Sequence, residues 1–190
     1  MRNFLSVGAV ASIAFLAACD AGGGDASGID ASAVFSDKPV VDGNGHPLLL
    51  PNSDPGVAQF ESELLRLVND YRMVMNLKPL VSASRLGDAA RAHARHMIDH
   101  RFISHISPEG LLPGERLALL HVDWTAAAEN IASAFSTPQD VFDAWLKSPL
   151  HRANIESDRF THAGVGYALD PAPTAEFADV HYWAMAFVQR

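Results

Sequence analysis

The sequence predicts an α+β fold, with a small antiparallel sheet between helices. Apolar residues recur every three to four positions along the first half of the predicted domain, a spacing typical of amphipathic helices. Near the carboxyl terminus a strand-like stretch is apolar on both alternating sets of positions, as in a strand covered on both faces. Helical segments come first and strands last, an order that favours α+β over an alternating arrangement.

Two helices open the predicted domain. Asp54 and Pro55 are suited to the cap and first position of a helix over about 56–75. Its apolar stripe consists of Phe60, Leu64, Leu67, Val68 and Tyr71. Residues 76–79 should end this helix, and a second helix is predicted over about 84–100. The inward face of that second helix is rich in alanine, which predicts close packing against a neighbour.

The middle of the chain contains an irregular segment and two further helices. Turn residues are dense over 102–124, which predicts loops with one short helix. A helix should then run from Thr137 to Ser148, because Pro149 disfavours helical geometry in the residue before it. The chain restarts as a short helix with His151 near its beginning. The helix dipole there disfavours a charged imidazolium and favours a neutral ring.

Two strands are predicted at the end of the chain, over 161–169 and 177–188, joined by a hairpin loop over 170–176. Gly164 and Gly166 leave one face of the first strand without side chains. We therefore expect another element to approach that face closely.

Length and composition place limits on function. The chain has 190 residues, of which 48% are hydrophobic, enough for one ordinary domain with its own core. Its formal net charge of -8 argues against nucleic acid as a partner, because phosphate binding requires a basic surface.

The amino terminus predicts export. Arg2 precedes an apolar run too short to span a bilayer, and this run ends in Leu-Ala-Ala-Cys19. These four residues resemble the lipobox of bacterial lipoproteins, in which the cysteine is lipidated and becomes the new terminus. Cys19 is the only cysteine; the alternative is an ordinary secretory signal with an incidental cysteine. Asp20 resembles an inner-membrane retention signal of some bacteria.

Three segments are therefore predicted. Residues 1–19 form a lipoprotein-type signal peptide, and residues 20–55 form a tether rich in glycine, alanine, serine and aspartate. Residues 56–190 form the domain. The apolar end of the tether, residues 47–51, is expected to lie against it. The predicted partner at the other end of the tether is a membrane. Lipidated Cys19 would anchor the protein at the outer face of that membrane, either in the periplasm or at the cell surface.

Several histidines are candidates for a site. His96 and His100 are four residues apart on one helix, a spacing that can clasp a metal. Met97 stands where a zinc protease has its glutamate, so we do not expect a metal there. His93 falls on the inward face and is interpreted as a hydrogen-bonded core residue.

Six motifs occur in order over 56–190, and together they resemble the bacterial branch of the CAP superfamily, also called the SCP domain. The motifs are Ala-Arg-Ala-His93-Ala-Arg-His-Met97, Phe102-Ile-Ser-His105, Ala128-Glu129-Asn130-Ile131, Trp145 with Ser148-Pro149-Leu-His151-Arg152-Ala-Asn154-Ile155, Ala163-Gly164-Val165-Gly166, and Tyr182-Trp183. The relatives include cysteine-rich secretory proteins, venom antigens and plant pathogenesis-related proteins.

The resemblance implies a three-layer αβα sandwich with a cleft lined by histidines and glutamates. Carried over by motif, His105, Glu129 and His151 would line this cleft. A second family glutamate has no match, because residues 147–149 read Lys-Ser-Pro where it would stand. The family's disulfides are absent too, because the mature domain has no cysteine besides Cys19.

The chemistry of His105, Glu129 and His151 leaves three interpretations open. Two imidazoles and a carboxylate are ligands that zinc accepts with one position left for water, although no cofactor is required. Without metal, the same groups could act as an acid and base. They could also form a buried hydrogen-bond network with Asn130 and Asn154.

The resemblance implies a membrane-tethered, extracytoplasmic CAP domain. We expect a non-enzymatic module that binds a lipid, a glycan or other cell-envelope material. The alternative is a hydrolase, protease-like or metal-assisted, that uses His105, Glu129 and His151. No activated nucleophile accompanies them in the sequence, which is why we favour binding.

Overall fold

The computed structural model describes residues 41–45, 47–51 and 54–190. The predicted signal peptide with Cys19, and the tether up to residue 40, lie outside the described residues. Within the described ranges, no helix combines the length and the apolar character needed to cross a bilayer.

Five helices and four strands follow one another in the described domain. They are α1 (Pro55–Val74), β1 (Val81–Ser82), α2 (Ser84–Asp99), α3 (Pro113–Leu119), β2 (Ala126–Ser133), α4 (Pro138–Lys147), α5 (Pro149–Glu156), β3 (His162–Leu169) and β4 (His181–Gln189). The α+β fold class is confirmed. Ser148 ends α4 and precedes α5, as the proline after it predicts.

The strands form one sheet in the order β1, β3, β4, β2. The two long pairings, β3 with β4 and β4 with β2, are antiparallel, whereas the two-residue strand β1 runs parallel to β3. Strand β2 therefore lies at one edge of the sheet. Along it, Glu129 stands opposite Ala186 of β4.

Helices cover both faces of the sheet. On one face, α1, α4 and α5 share a core with the sheet that includes Leu64, Trp145 and Trp183. On the other face, α2 and α3 pack on the alternate side chains of the same strands, such as Ala127 and Val188. This is the three-layer αβα sandwich that the resemblance implies.

Helix α2 lies directly on the backbone of β3, as the two glycines of that strand predict. A Cβ atom added to Gly164 would stand 2.1 Å from the amide nitrogen of Gly87. One added to Gly166 would stand 2.0 Å from the amide nitrogen of Arg91. Side chains at these two positions would overlap the helix backbone, so only glycine permits this approach.

Strands β1 and β2 were not predicted from the sequence, and the predicted start of β4 is wrong. Strand β2 reads Ala-Ala-Ala-Glu-Asn-Ile-Ala-Ser, with few of the β-branched and aromatic residues that mark strands. The predicted strand over 177–188 begins only at His181. Residues 177–180 belong to the preceding loop, where Asp179 accepts a hydrogen bond from the Ser133 hydroxyl at 2.6 Å.

The end of the predicted tether packs against the domain. Leu48 is buried in the core formed with α2 and α3. The amide of Leu50 donates to the carbonyl oxygen of Asp88 at 3.1 Å, and its carbonyl accepts from the Arg91 guanidinium. Residues 47–51 thus lie against α2, as expected from their apolar character.

Candidate functional site

The candidate site is built around Glu129, in the middle of the edge strand β2. Successive side chains of a strand point to opposite faces. Glu129 projects toward the face covered by α2 and α3, and Asn130 projects toward the face covered by α4 and α5. This alternation decides which of the predicted site residues can meet.

Three side chains surround the Glu129 carboxylate. Its Oε2 accepts a hydrogen bond from the Arg116 guanidinium of α3 at 2.6 Å, and its Oε1 accepts one from Nδ1 of His105 at 3.0 Å. The Nε2 atom of His93, on α2, lies 3.7 Å from Oε1. None of these four residues is more than 6% exposed. We call Glu129, Arg116, His105 and His93 the Glu129 cluster.

The cluster sets the ionisation of its members. Burial favours the neutral acid of Glu129, but the Arg116 charge and the two histidines outweigh burial and lower the pKa of Glu129 to about 2. Burial and the Arg116 charge lower the pKa of His93 to about 3. At neutral pH the cluster therefore holds an ionised carboxylate beside a neutral His93.

Hydrogen-bond partners assign the tautomer of each ring. A carboxylate can only accept, so Nδ1 of His105 carries the proton and Nε2 carries a lone pair. His93 donates from Nε2 to the carbonyl oxygen of Ser104 at 3.0 Å. His105 Nε2 and His93 Nδ1 are both buried and have no hydrogen-bond partner among the described residues.

His151 contacts Asn130 and Trp145. Its carbonyl oxygen accepts from the Asn130 side chain at 3.1 Å, and its ring packs 6.3 Å from the Trp145 ring. Asn154 donates to Asn130 at 2.9 Å. The structure thus brings His105 and Glu129 together but places His151 with Asn130. That all three side-chain tips share one hollow stays a prediction.

His93 and Arg116 were not predicted as members of the site. His93 is indeed a hydrogen-bonded core residue, as interpreted, but it also faces Glu129. Arg116 additionally donates to the carbonyl oxygens of His105 and Leu111 at 2.8 and 3.0 Å. No sequence signal separates this arginine from an exposed one, because it follows an ordinary Pro-Gly helix start in a loop-rich segment.

The carboxylate among the predicted zinc ligands is already engaged by other protein groups. Arg116 occupies one oxygen of Glu129 with a positive charge, and the His105 proton is directed at the other oxygen. In the part of the chain that the structure describes, one group of three side chains brings its ligand atoms within 4.8 Å of one another, and this group is His96, His100 and Glu109.

The Glu129 cluster is closed. The cavity beside it, between α2 and α3, measures about 10 Å³, roughly the space that one water molecule requires. Both carboxylate oxygens are engaged. This arrangement ties α3 and the loop that carries His105 to the edge strand.

A larger cleft lies elsewhere, between α1 and the beginning of α2, with a volume of about 400 Å³. Glu61 and Arg91 form a two-pronged ion pair in its wall, with distances of 2.7 and 2.6 Å. Glu61 also accepts from the amide of Tyr167 at 3.0 Å. This pair fastens both helices to β3.

Comparisons with solved structures place this fold among known domains. An extracellular protein containing an SCP domain from Bacillus anthracis is 27% identical, with a TM-score of 0.63 over 73% of this chain and 45% of that one. An outer surface protein from Borrelia burgdorferi, 22% identical, shares the fold with a TM-score of 0.57 over 68% of this chain and 91% of that one.

Comparisons with curated sequences identify bacterial relatives of this chain. The uncharacterized protein YkwD of Bacillus subtilis is 37% identical over 111 residues, 58% of this chain and 43% of that protein. The uncharacterized membrane protein YlbC of the same species is 28% identical over 68% of this chain and 34% of its own length. The matches thus span less than half of these relatives. The model of CAP, the cysteine-rich secretory protein family, matches residues 65–187, so the chain belongs to that family.

Proposed function

We propose that this chain is a lipid-anchored, extracytoplasmic CAP domain that binds a cell-envelope glycan without covalent chemistry. The observation that carries the proposal is the closure of the Glu129 cluster, whose carboxylate is 3% exposed and held by Arg116 and His105. A buried and fully engaged carboxylate is suited to holding the fold together. Ligand binding is therefore assigned to the cleft between α1 and α2.

The size and lining of this cleft support a glycan. Its volume of about 400 Å³ lies in the range of ordinary small-ligand sites. The exposed hydroxyls of Ser62, Ser82 and Ser84 line it, together with apolar surface from Leu65 and Val165. Sugars present both hydroxyls and apolar ring faces, which match this mixture. The net charge of -8 disfavours the alternative of an anionic lipid headgroup.

The hydrolase alternative rests on His105. Its Nδ1 donates to a carboxylate while Nε2 keeps a buried lone pair, the pairing that orients a histidine as a general base. That base would need an opening motion to reach a substrate, because His105 is 3% exposed. The alternative requires turnover that a His105→Ala variant loses.

We expect the purified protein to sediment with peptidoglycan sacculi. An Ala58→Trp variant, which fills the cleft from the exposed face of α1, should bind at least about tenfold more weakly. Gln59→Trp is the matched control, because Gln59 is exposed beside Ala58 but does not line the cleft. Equal binding of both variants, or no binding by the parent protein, would refute the proposal that the glycan binds in this cleft. Release of soluble fragments that depends on His105 would establish the hydrolase instead.

The anchor has its own test. In cells that express the chain with Cys19→Ser, the protein should be released from the membrane fraction. The acyl chains that anchor it, in which each methylene contributes about 0.8 kcal/mol of membrane affinity, would be missing. The parent protein should remain in the membrane fraction after a high-salt wash. An unchanged distribution of the Cys19→Ser protein would contradict lipid anchoring and favour the ordinary secretory signal.

A further inference from the structure

The carboxyl end of α2 carries a second group of histidines, away from Glu129. His96 and His100 lie one helical turn apart on one face, with ring centroids 4.5 Å apart. Glu109 reaches them from the loop between α2 and α3, and its Oε1 is 3.4 Å from Nε2 of His96. One ligand atom from each residue lies within 4.8 Å of the other two.

These distances suit a small divalent cation. Zinc binds histidine nitrogen and carboxylate oxygen at about 2.0–2.1 Å, so tetrahedral ligand atoms stand roughly 3.4 Å apart. His96 and Glu109 already have this separation. His100 is exposed at the end of the helix, so its side chain can adjust by rotation. Three protein ligands would leave a fourth position open to solvent.

The surroundings favour a cation. Ser107 donates a hydrogen bond to the Glu109 carboxylate, which restrains its orientation. Phe102 packs edge-on against His96, with ring centroids 5.5 Å apart, which restrains the imidazole. Asp42 adds a second negative charge close to the group.

We propose that His96, His100 and Glu109 form a zinc-type metal site at the end of α2. The site differs from the one suggested by the family resemblance, and it is independent of the proposed glycan binding. A bound ion would join the last turn of α2 to the loop that carries His105 and Glu109. The sequence predicted no metal on the histidine pair, because Met97 stands where a zinc protease has its glutamate. The fold supplies a third ligand, Glu109, from the loop.

Calorimetry with zinc chloride on the purified, metal-stripped protein tests the site. We expect one zinc ion per chain, and at least about tenfold weaker binding for His100→Ala and for Glu109→Gln. Cobalt(II) should give the visible absorption of a tetrahedral site in the parent protein and not in these variants. Zinc should also raise the Tm of the parent protein, but not the Tm of His100→Ala or of Glu109→Gln.

Two further variants separate this site from other histidines. His121→Asn removes an exposed imidazole and suits the positive φ of 51° at that position, so zinc binding should be unchanged. His105→Ala should also bind zinc normally. Zinc binding that is lost in His105→Ala but kept in His100→Ala and Glu109→Gln would place the metal at Glu129 and overturn the proposal. Absence of zinc binding by the parent protein would overturn it as well.

Discussion

Replacing Glu129 by glutamine is expected to lower the free energy of unfolding by about 3–5 kcal/mol, the usual cost of removing one partner from a buried ion pair. The substitution keeps the size of the side chain but leaves the Arg116 guanidinium buried without its counter-charge. Arg116 keeps its bonds to the carbonyl oxygens of His105 and Leu111, which cannot neutralise it. Urea unfolding followed by circular dichroism measures the change.

A double variant distinguishes charge from shape. Arg116→Met combined with Glu129→Met replaces the pair by apolar side chains, and it should be less destabilised than Glu129→Gln alone. Glu63→Gln serves as the surface control. Glu63 pairs with Arg66 where both side chains are about half exposed, so its removal should leave the unfolding midpoint unchanged. A Glu129→Gln protein as stable as the parent would contradict the buried pair.

Acidification from pH 6.5 to 4.5 is expected to lower the free energy of unfolding by about 2 kcal/mol through His93 alone. In the unfolded chain His93 binds a proton below its ordinary pKa of 6.5, but in the folded protein only below about 3. Between these values the unfolded state binds more protons, so acid favours unfolding. The contribution is fully present above pH 6.5 and is lost as pH falls toward 3.

Glu129 acts in the same direction but at lower pH. Its pKa falls from 4.5 to about 2 on folding, so its contribution is present above pH 4.5 and is lost below that value. The window from pH 6.5 to 4.5 therefore separates the two groups. His93→Gln retains an amide donor for the Ser104 carbonyl, and it should flatten the stability profile in this window. Identical profiles for the variant and the parent protein would show that His93 does not titrate as described.

The local elements were predictable where the pattern carries a specific physical cause. Pro149 fixes the break between α4 and α5, and Gly164 and Gly166 indicate the close approach of α2, because each residue type excludes the alternative geometry. Strand β2 was not predictable in this way. Its alanine-rich sequence has little strand preference, and it is a strand because β4 supplies its hydrogen bonds and helices cover both of its faces.

The site was predictable only in part, because it depends on which face each residue occupies. The motifs indicate that His105, Glu129 and His151 belong to one region, and two of them do meet. Whether Glu129 or Asn130 faces α2 depends on the register of an edge strand, which a motif does not specify. The same register brings His93 and Arg116 to the carboxylate and leaves His151 with Trp145.

The two glycines of β3 have a consequence for the histidines of α2. With no side chains between helix and strand, the backbone of α2 rests directly on the sheet, and tilting or sliding it would require the strand to move as well. His93 and His96 therefore lie on a helix whose position is fixed by the sheet. An ion bound at the carboxyl end of α2 would be fixed relative to the sheet as well. Any movement needed to admit this ion must come from the loop between α2 and α3.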